Sequence, residues 1–301
     1  MAITFHPRGP FSLTAAAAFA EDFPGTRTAQ APTQLRYAWA VDGDWRTVQV
    51  TVRQDEPAVH AELDHRPPAD LARRAARDLE QILSLDVDGT GFAALGERDD
   101  VVKALQGRFP GLRPVLFYTP YEAAAWAIIG QRIRMTQAAN IKERLSDERG
   151  TSGAFPAPAA LAGLSAPQPG LTDRKIEQLR ALATAAQDGV LTRERLRAMT
   201  YQEALKHLQQ LPGIGPFSAE LILIRGVGNP DALPDHDTRL DEAIRFAYRT
   251  SDDSAIHRIT ESWRPYRAWL ALLLRAWREA ETGEIARGRR TTTPLQPPDD
   301  T

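Results

Sequence analysis

Two different hydrophobic periods divide this chain, and the switch between them limits the folds open to it. Between residues 35 and 52 the larger apolar side chains fall on every second position. Leu35, Tyr37, Trp39 and Val41 alternate with Arg36, Ala38 and Ala40, and Val48, Val50 and Val52 alternate again beyond the Asp42-Gly43 turn signal. A period of two presents one face of a strand to a core, so the pair predicts a hairpin. Extended chain follows through Val59 to Leu63, Pro67-Pro68 closes it, and Leu71 to Leu85 predicts a helix with Leu71, Ala75, Leu79 and Ile82 on one side. From Pro120 the period is helical. Trp126, Ile129, Ile133 and Ile141 predict one helix, and Ala154 to Gly170 a loop with one short helix. Ile176–Ala186, Tyr201–Gln210, Phe217–Ile224, Thr238–Tyr248 and Ile256–Glu281 predict the others. The expected organisation is a mixed sheet/helix N-terminal domain over 1–113, a helical domain over 114–286, and a disordered tail over 287–301 with little to bury. No internal repeat is visible.

Composition matters mainly for what it removes. The 301 residues contain no cysteine, which excludes disulfides, thiolate metal sites and iron–sulfur clusters. The six histidines show no metal-ligand spacing. A net charge of -2 argues against polyanion binding by the whole surface, while leaving room for a local basic face. There is no signal-peptide core near Met1 and no apolar stretch long enough for a bilayer, so the expected location is the cytoplasm.

The stretch LPGIGPFSAELI, from Leu211 to Ile222, opens a helix with two glycines and a proline and no capping side chain. Such a helix presents free N–H donors, Gly213 and Gly215 let an anion approach the backbone, and Pro216 suits the first helical position. The plainer alternative is that Gly213 ends one helix and Gly215 begins another. Downstream, PDALPDHDTRLDEAIRF places Pro234 and a group of carboxylates before a helix faced by Leu240, Ala243, Ile244 and Ala247. Thr238 with Asp241 resembles a capping box, which leaves Asp235, His236 and Asp237 either as turn residues or as something more.

Together these motifs resemble the helix-hairpin-helix superfamily of DNA glycosylases, most of all the bacterial 3-methyladenine DNA glycosylase II family. FYTPYEAAAWAIIGQRIRMTQAANI is similar to that family's helix ending in Gly-Gln, here Gly130 and Gln131, and ITESWRPYRAWLALLLRAW to its C-terminal helix. The resemblance implies an α+β N-terminal sheet domain followed by an all-α helix-hairpin-helix glycosylase core. It makes Asp237, three residues after Pro234, the catalytic carboxylate. Pro212, Gly213, Ile214 and Gly215 become the turn that binds DNA phosphate. Arg132, beside Gln131, becomes the wedge that replaces the extruded base, and Phe217, Leu221, Arg275, Phe19 and Trp126 the base pocket. Backbone carbonyls of Gln209, Leu211 and Ile214 would hold a monovalent cation, Na+ or K+; the chemistry itself needs no cofactor.

The implied activity is hydrolysis of the N-glycosidic bond of a flipped-out alkylated purine in double-stranded DNA by a monomeric enzyme. A carboxylate counters the positive charge that develops on the sugar. Bifunctional relatives carry a lysine where this chain has Phe217, and none of its four lysines lies in the hairpin, so no lyase activity is expected. Three positions depart from the family: Arg132 replaces an apolar wedge, Arg275 a stacking tryptophan and Leu221 a pocket tyrosine. A cationic base beside Arg275 is disfavoured unless an acid neutralises that charge. The alternatives are a non-catalytic binder of damaged DNA and a glycosylase for another lesion. His236 is either a tuning group for Asp237 or an exposed turn residue. Trp263, Trp269 and Trp277 read as packing residues, Arg264, Arg267 and Arg278 as a solvated helix face, and Arg174 and Lys175 as candidate DNA contacts.

Overall fold

The computed structural model describes residues 1–22, 29–31, 34–235 and 237–283. The expected tail over 287–301 and His236 lie outside them. The N-terminal part supplies β1 (Ala2–Phe5), α1 (Leu13–Asp22), β2 (Ala29–Ala31), β3 (Gln34–Ala40), β4 (Thr47–Asp55) and β5 (Ala58–Leu63). They form a five-stranded antiparallel sheet in the order β1-β5-β4-β3-β2. The predicted hairpin is β3–β4, and its register pairs Leu35 with Val52, Tyr37 with Val50 and Trp39 with Val48. All six side chains are buried, as a period of two on a half-buried sheet requires. Three helices follow: α2 (Ala69–Ile82), α3 (Thr90–Leu95) and α4 (Asp100–Arg108).

The remaining elements are helical: α5 (Pro120–Ile129), α6 (Met135–Arg149), α7 (Pro158–Ala162), α8 (Asp173–Gln187), α9 (Arg193–Arg197), α10 (Tyr201–Leu208), α11 (Pro216–Leu221), α12 (Thr238–Ala247), α13 (Asp253–Ser262) and α14 (Arg267–Thr282). α11 continues as a π-helical turn over Ile222–Val227. Two predicted helices are each broken in two. The first stops at Gly130, and α6 begins only at Met135. The second breaks at Trp263–Tyr266, where Pro265 has no N–H to continue the ladder. No helix among the described residues is long and apolar enough to cross a membrane.

Two apolar clusters organise these elements. One joins the sheet and α2 to the C-terminal helices, through residues such as Leu79, Leu240, Ile244, Leu273 and Trp277. The other gathers α5, α6, α8, α10 and the π-helical turn around Ile128, Leu179, Leu208 and Ile222. The turn lies against α5 because Gly226 has no side chain. A Cβ there would come within 2.9 Å of the Ala123 Cβ and 3.0 Å of the Pro120 Cα.

Arg193, at the start of α9, ties the two clusters together. Its buried guanidinium donates to the carbonyls of Gly226 (3.0 Å), Phe117 (3.2 Å) and Tyr118 (3.1 Å), and to Gln81 (3.2 Å). Its N–H donates to Asp42 (2.7 Å), and Asp78 lies 3.8 Å from its Nη1. Asp78 also accepts from the Trp39 indole (3.1 Å) and the Asp42 amide (3.0 Å). Burial pushes the Asp78 carboxyl up to about 6, against the pull of Arg193. A carboxyl raised above its unfolded value binds its proton in the folded state first, so its contribution to stability is greatest at low pH and shrinks as pH rises through 6. Relative to Asp78→Asn, the wild type should therefore lose on the order of 1–3 kcal/mol between pH 4 and pH 7, read by urea unfolding at each pH. A pH-independent difference would show that Asp78 does not titrate in this range.

Candidate active site

The segment from Asn229 to Asp237 is held in place before it reaches its carboxylate. Arg267, in α14, donates to the Asp231 carbonyl (3.0 Å) and to both Asp231 carboxylate oxygens (3.0 and 3.1 Å), and Arg264 pairs with the same carboxylate. The Ala268 N–H donates to the Pro230 carbonyl (2.9 Å), and the Asp235 N–H to the buried Glu220 (3.2 Å). Arg278 pairs with Glu242 at 2.9 Å and donates to the Arg239 carbonyl. The expected solvated face of α14 is thus corrected. Arg267 and Arg278 are largely covered, and they fasten this segment and α12 to the C-terminal helix.

Asp237 is the N-cap of α12. Its Oδ1 accepts from the amides of Arg239 (3.1 Å) and Leu240 (3.2 Å), and its Oδ2 accepts from Arg275 Nη1 at 2.7 Å. The capping box expected from Thr238 and Asp241 is replaced by this single acid. The acid that the sequence demands beside Arg275 is therefore Asp237 itself. The Asp237 side chain is 9% exposed and that of Arg275 is 42% exposed, so the pair sits at an opening with the carboxylate on the inner side.

Asp237 lines a cavity of about 140 Å³ between the two apolar clusters. Phe19, Trp126, Phe217, Leu221 and Arg275 line the same cavity, so all five pocket candidates converge on it. Phe19 and Trp126 form buried walls, whereas Phe217 is 67% exposed. Core packing is thereby ruled out for Phe217. Trp263 and Trp277 are packing residues, and Trp269 is buried yet also reaches the cavity wall.

Several polar wall residues escaped the sequence reading, among them Arg239, Glu220 and Arg225. Glu220 is buried in α11. Arg225 sits alone in the apolar run ILIRGV, and that isolated charge was the available signal. Its guanidinium lies 5.1 Å from the Phe19 ring and 5.8 Å from the Phe117 ring, and donates to the Val115 carbonyl at 2.9 Å. Burial first, and the charge of Arg275 second, lower Arg225 to about 10.

The glycine turn and the Gly130–Arg134 loop lead into α11 and α6, whose Phe217 and Met135 line this cavity. Gly213 has φ +87°, and a Cβ on it would come within 2.6 Å of Gln178. Gly215 is the N-cap of α11, Pro216 opens the helix, and no side chain caps it. Pro212 is exposed and Ile214 buried. The Ile214 N–H donates to the Leu211 carbonyl at 3.1 Å, leaving that oxygen a second lone pair. Gln131 Nε2 donates to the Gly213 carbonyl at 2.7 Å, joining turn to loop. Arg132 is exposed with φ +57°, a left-handed conformation uncommon for a residue with a side chain. Lys175 is no surface contact. Its buried ammonium donates to the carbonyls of Ile129 (2.7 Å) and Gln131 (2.8 Å), and desolvation lowers its pKa.

With this geometry in view, the chain resembles the helix-hairpin-helix DNA glycosylases, and the bacterial 3-methyladenine DNA glycosylase II family among them. It is similar to the DNA-3-methyladenine glycosylase of Bacillus subtilis, with 26% identity over 235 residues, 74% of this chain and 78% of that protein. It is also similar to DNA-3-methyladenine glycosylase 2 of Escherichia coli, with 31% identity over 184 residues, 56% of this chain and 60% of that protein. Its fold is shared with the 3-methyladenine DNA glycosylase of Archaeoglobus fulgidus, at a TM-score of 0.71 and 22% identity, covering 92% of this chain and 98% of that one. No protein-family model matches the chain.

Lys175→Met removes two donors and leaves the Ile129 and Gln131 carbonyls unmet. The expected cost is about 1–3 kcal/mol, with faster amide exchange over residues 130–134. Unchanged exchange there would show that Gln131 alone holds the loop.

Proposed function

We propose that this chain is a monofunctional DNA glycosylase, hydrolysing the N-glycosidic bond of an alkylated purine that has been turned out of duplex DNA into the cavity. The observation that carries this is the position of Asp237, a carboxylate fixed by two backbone amides on the wall of an aromatic-lined cavity. The names of the relatives support the same reaction class. A base inside the duplex is out of reach, so the nucleotide is first extruded at a cost of a few kcal/mol. Breaking the bond to the base leaves positive charge on the sugar, and a prepositioned anion lowers that barrier without having to reorganise. Asp237 takes this role, and orients the attacking water as well.

The surrounding parts divide the remaining work. Pro212, Gly213, Ile214 and Gly215 bind backbone phosphate at an uncapped helix start. Arg132, held proud of the surface by its left-handed backbone and by Gln131, occupies the gap left by the extruded base. The carbonyls of Gln209, Leu211 and Ile214 form a neutral, all-oxygen donor set that fits a monovalent cation. That ion would offset phosphate charge and take no part in bond cleavage. Phe217 lies where lyase chemistry would require an amine, and no lysine lines the cavity among the described residues, so the strand is left unnicked. The enzyme acts on double-stranded DNA as a monomer in the cytoplasm.

One observation favours a second reading. The Arg275 guanidinium already satisfies Asp237 Oδ2, as it would in a binder of damaged DNA that performs no chemistry. Duplex DNA carrying methylated and deaminated purines, with chromatography of the released bases, separates the two. The enzyme releases a damaged purine, and Asp237→Asn slows release at least ~100-fold while DNA binding persists. Tight binding to an abasic-site analogue with no base released from any of several lesions would establish the binder instead.

A further inference from the structure

The charges around the cavity are unbalanced. Its wall carries three arginines, Arg225, Arg239 and Arg275, against two carboxylates, Asp237 and Glu220. Both carboxylates are engaged: Asp237 holds Arg275 and two amides of α12, and Glu220 accepts from the Asp235 amide. Arg225 has no carboxylate partner among the described residues; its enclosed Nε faces no partner, and of its terminal nitrogens Nη2 donates to the Val115 carbonyl, which leaves Nη1 to the cavity side. Arg275 uses only Nη1, on Asp237, although a guanidinium carries five N–H groups. The wall therefore offers spare donors and few spare acceptors.

The aromatic surfaces point the same way. A positively charged base gains from the face of an aromatic ring. Two of the rings lining this cavity, Phe19 and Phe117, already lie against the guanidinium of Arg225. An incoming cation would compete with a built-in one for those faces, and would do so beside an unneutralised charge.

We propose that the cavity selects a neutral damaged base bearing a carbonyl oxygen, with Arg225 and the free N–H groups of Arg275 as donors, and works against bases that carry a permanent positive charge. This rests on the glycosylase reading for the bond that is cleaved and departs from it on the substrate, setting a neutral lesion in place of a cationic alkylated purine. Arg275 is then a specificity-determining residue. It supplies donors to the base, and it offsets the Asp237 charge that would otherwise attract a cationic lesion.

Hypoxanthine and 7-methylguanine form a suitable pair of probes, since each has a carbonyl at C6 and only the second is cationic within DNA. Single-turnover release is measured from duplexes of identical sequence, and each rate is divided by the spontaneous rate, because a cationic base leaves more readily unaided. In the wild type the acceleration for hypoxanthine should exceed that for 7-methylguanine at least tenfold. In Arg275→Met, which frees the Asp237 carboxylate, the ratio should fall at least tenfold, whereas Arg275→Lys should keep it within about threefold. A wild-type ratio below one, or a ratio that Arg275→Met leaves unchanged, overturns the selectivity while base release itself upholds the glycosylase. Release of neither base, nor of any other lesion, overturns both.

Discussion

The two oxygens of Asp237 are divided between a helix and a cavity. Oδ1 satisfies amides that α12 would otherwise leave bare, and Oδ2 faces Arg275 at the cavity wall. A capping acid of this kind is worth about 1 kcal/mol to its helix. Its larger effect here is geometric, because a side chain tied to two amides has little rotamer freedom left. The carboxylate can be no better placed than the segment that leads to it, and Arg264 and Arg267 hold that segment through Asp231. The site thus depends on a chain of polar contacts running from α14 to Asp237.

Arginine does comparable work elsewhere. Arg113 is buried and donates to the carbonyls of Pro10, Ser84, Val87, Arg8 and Gly9 while lying over Trp269. Arg193 reaches three carbonyls at the junction of the two apolar clusters. A planar guanidinium with five donors can satisfy several fixed carbonyls at once, which an ammonium does less well. Net charge is consequently a poor guide to this surface, since several of the cations are internal cross-links.

Much of this was legible in the sequence, for physical reasons. Strict alternation from Leu35 to Val52 defines a strand pair whatever surrounds it, and the observed register follows. Trp126, Phe217, Leu221, Arg275 and Asp237 each occupy a motif position, Phe19 does not, and the fold brings all six to one place. Errors arose where one signal has two meanings. Trp126 to Ile141 keeps a helical period across Gly130, yet Lys175, distant in sequence, takes the carbonyls of Ile129 and Gln131 there. Thr238 and Asp241 have capping-box spacing, but the preceding acid is the cap. Arg264 and Arg267 look like surface charges until a tertiary partner, Asp231, is known. Arg225 was missed for the converse reason, because a lone charge in an apolar run carries no period at all.

Phe217 leaves two thirds of its surface in water beside the cavity mouth. An aromatic ring in that position is hydrated at a cost, and only a partner arriving from outside can relieve it. Complex formation that covers the ring should then carry a negative heat-capacity change beyond that of phosphate contacts, which are set mainly by salt. Association at this mouth would accordingly combine a term that weakens with ionic strength and one that is indifferent to it.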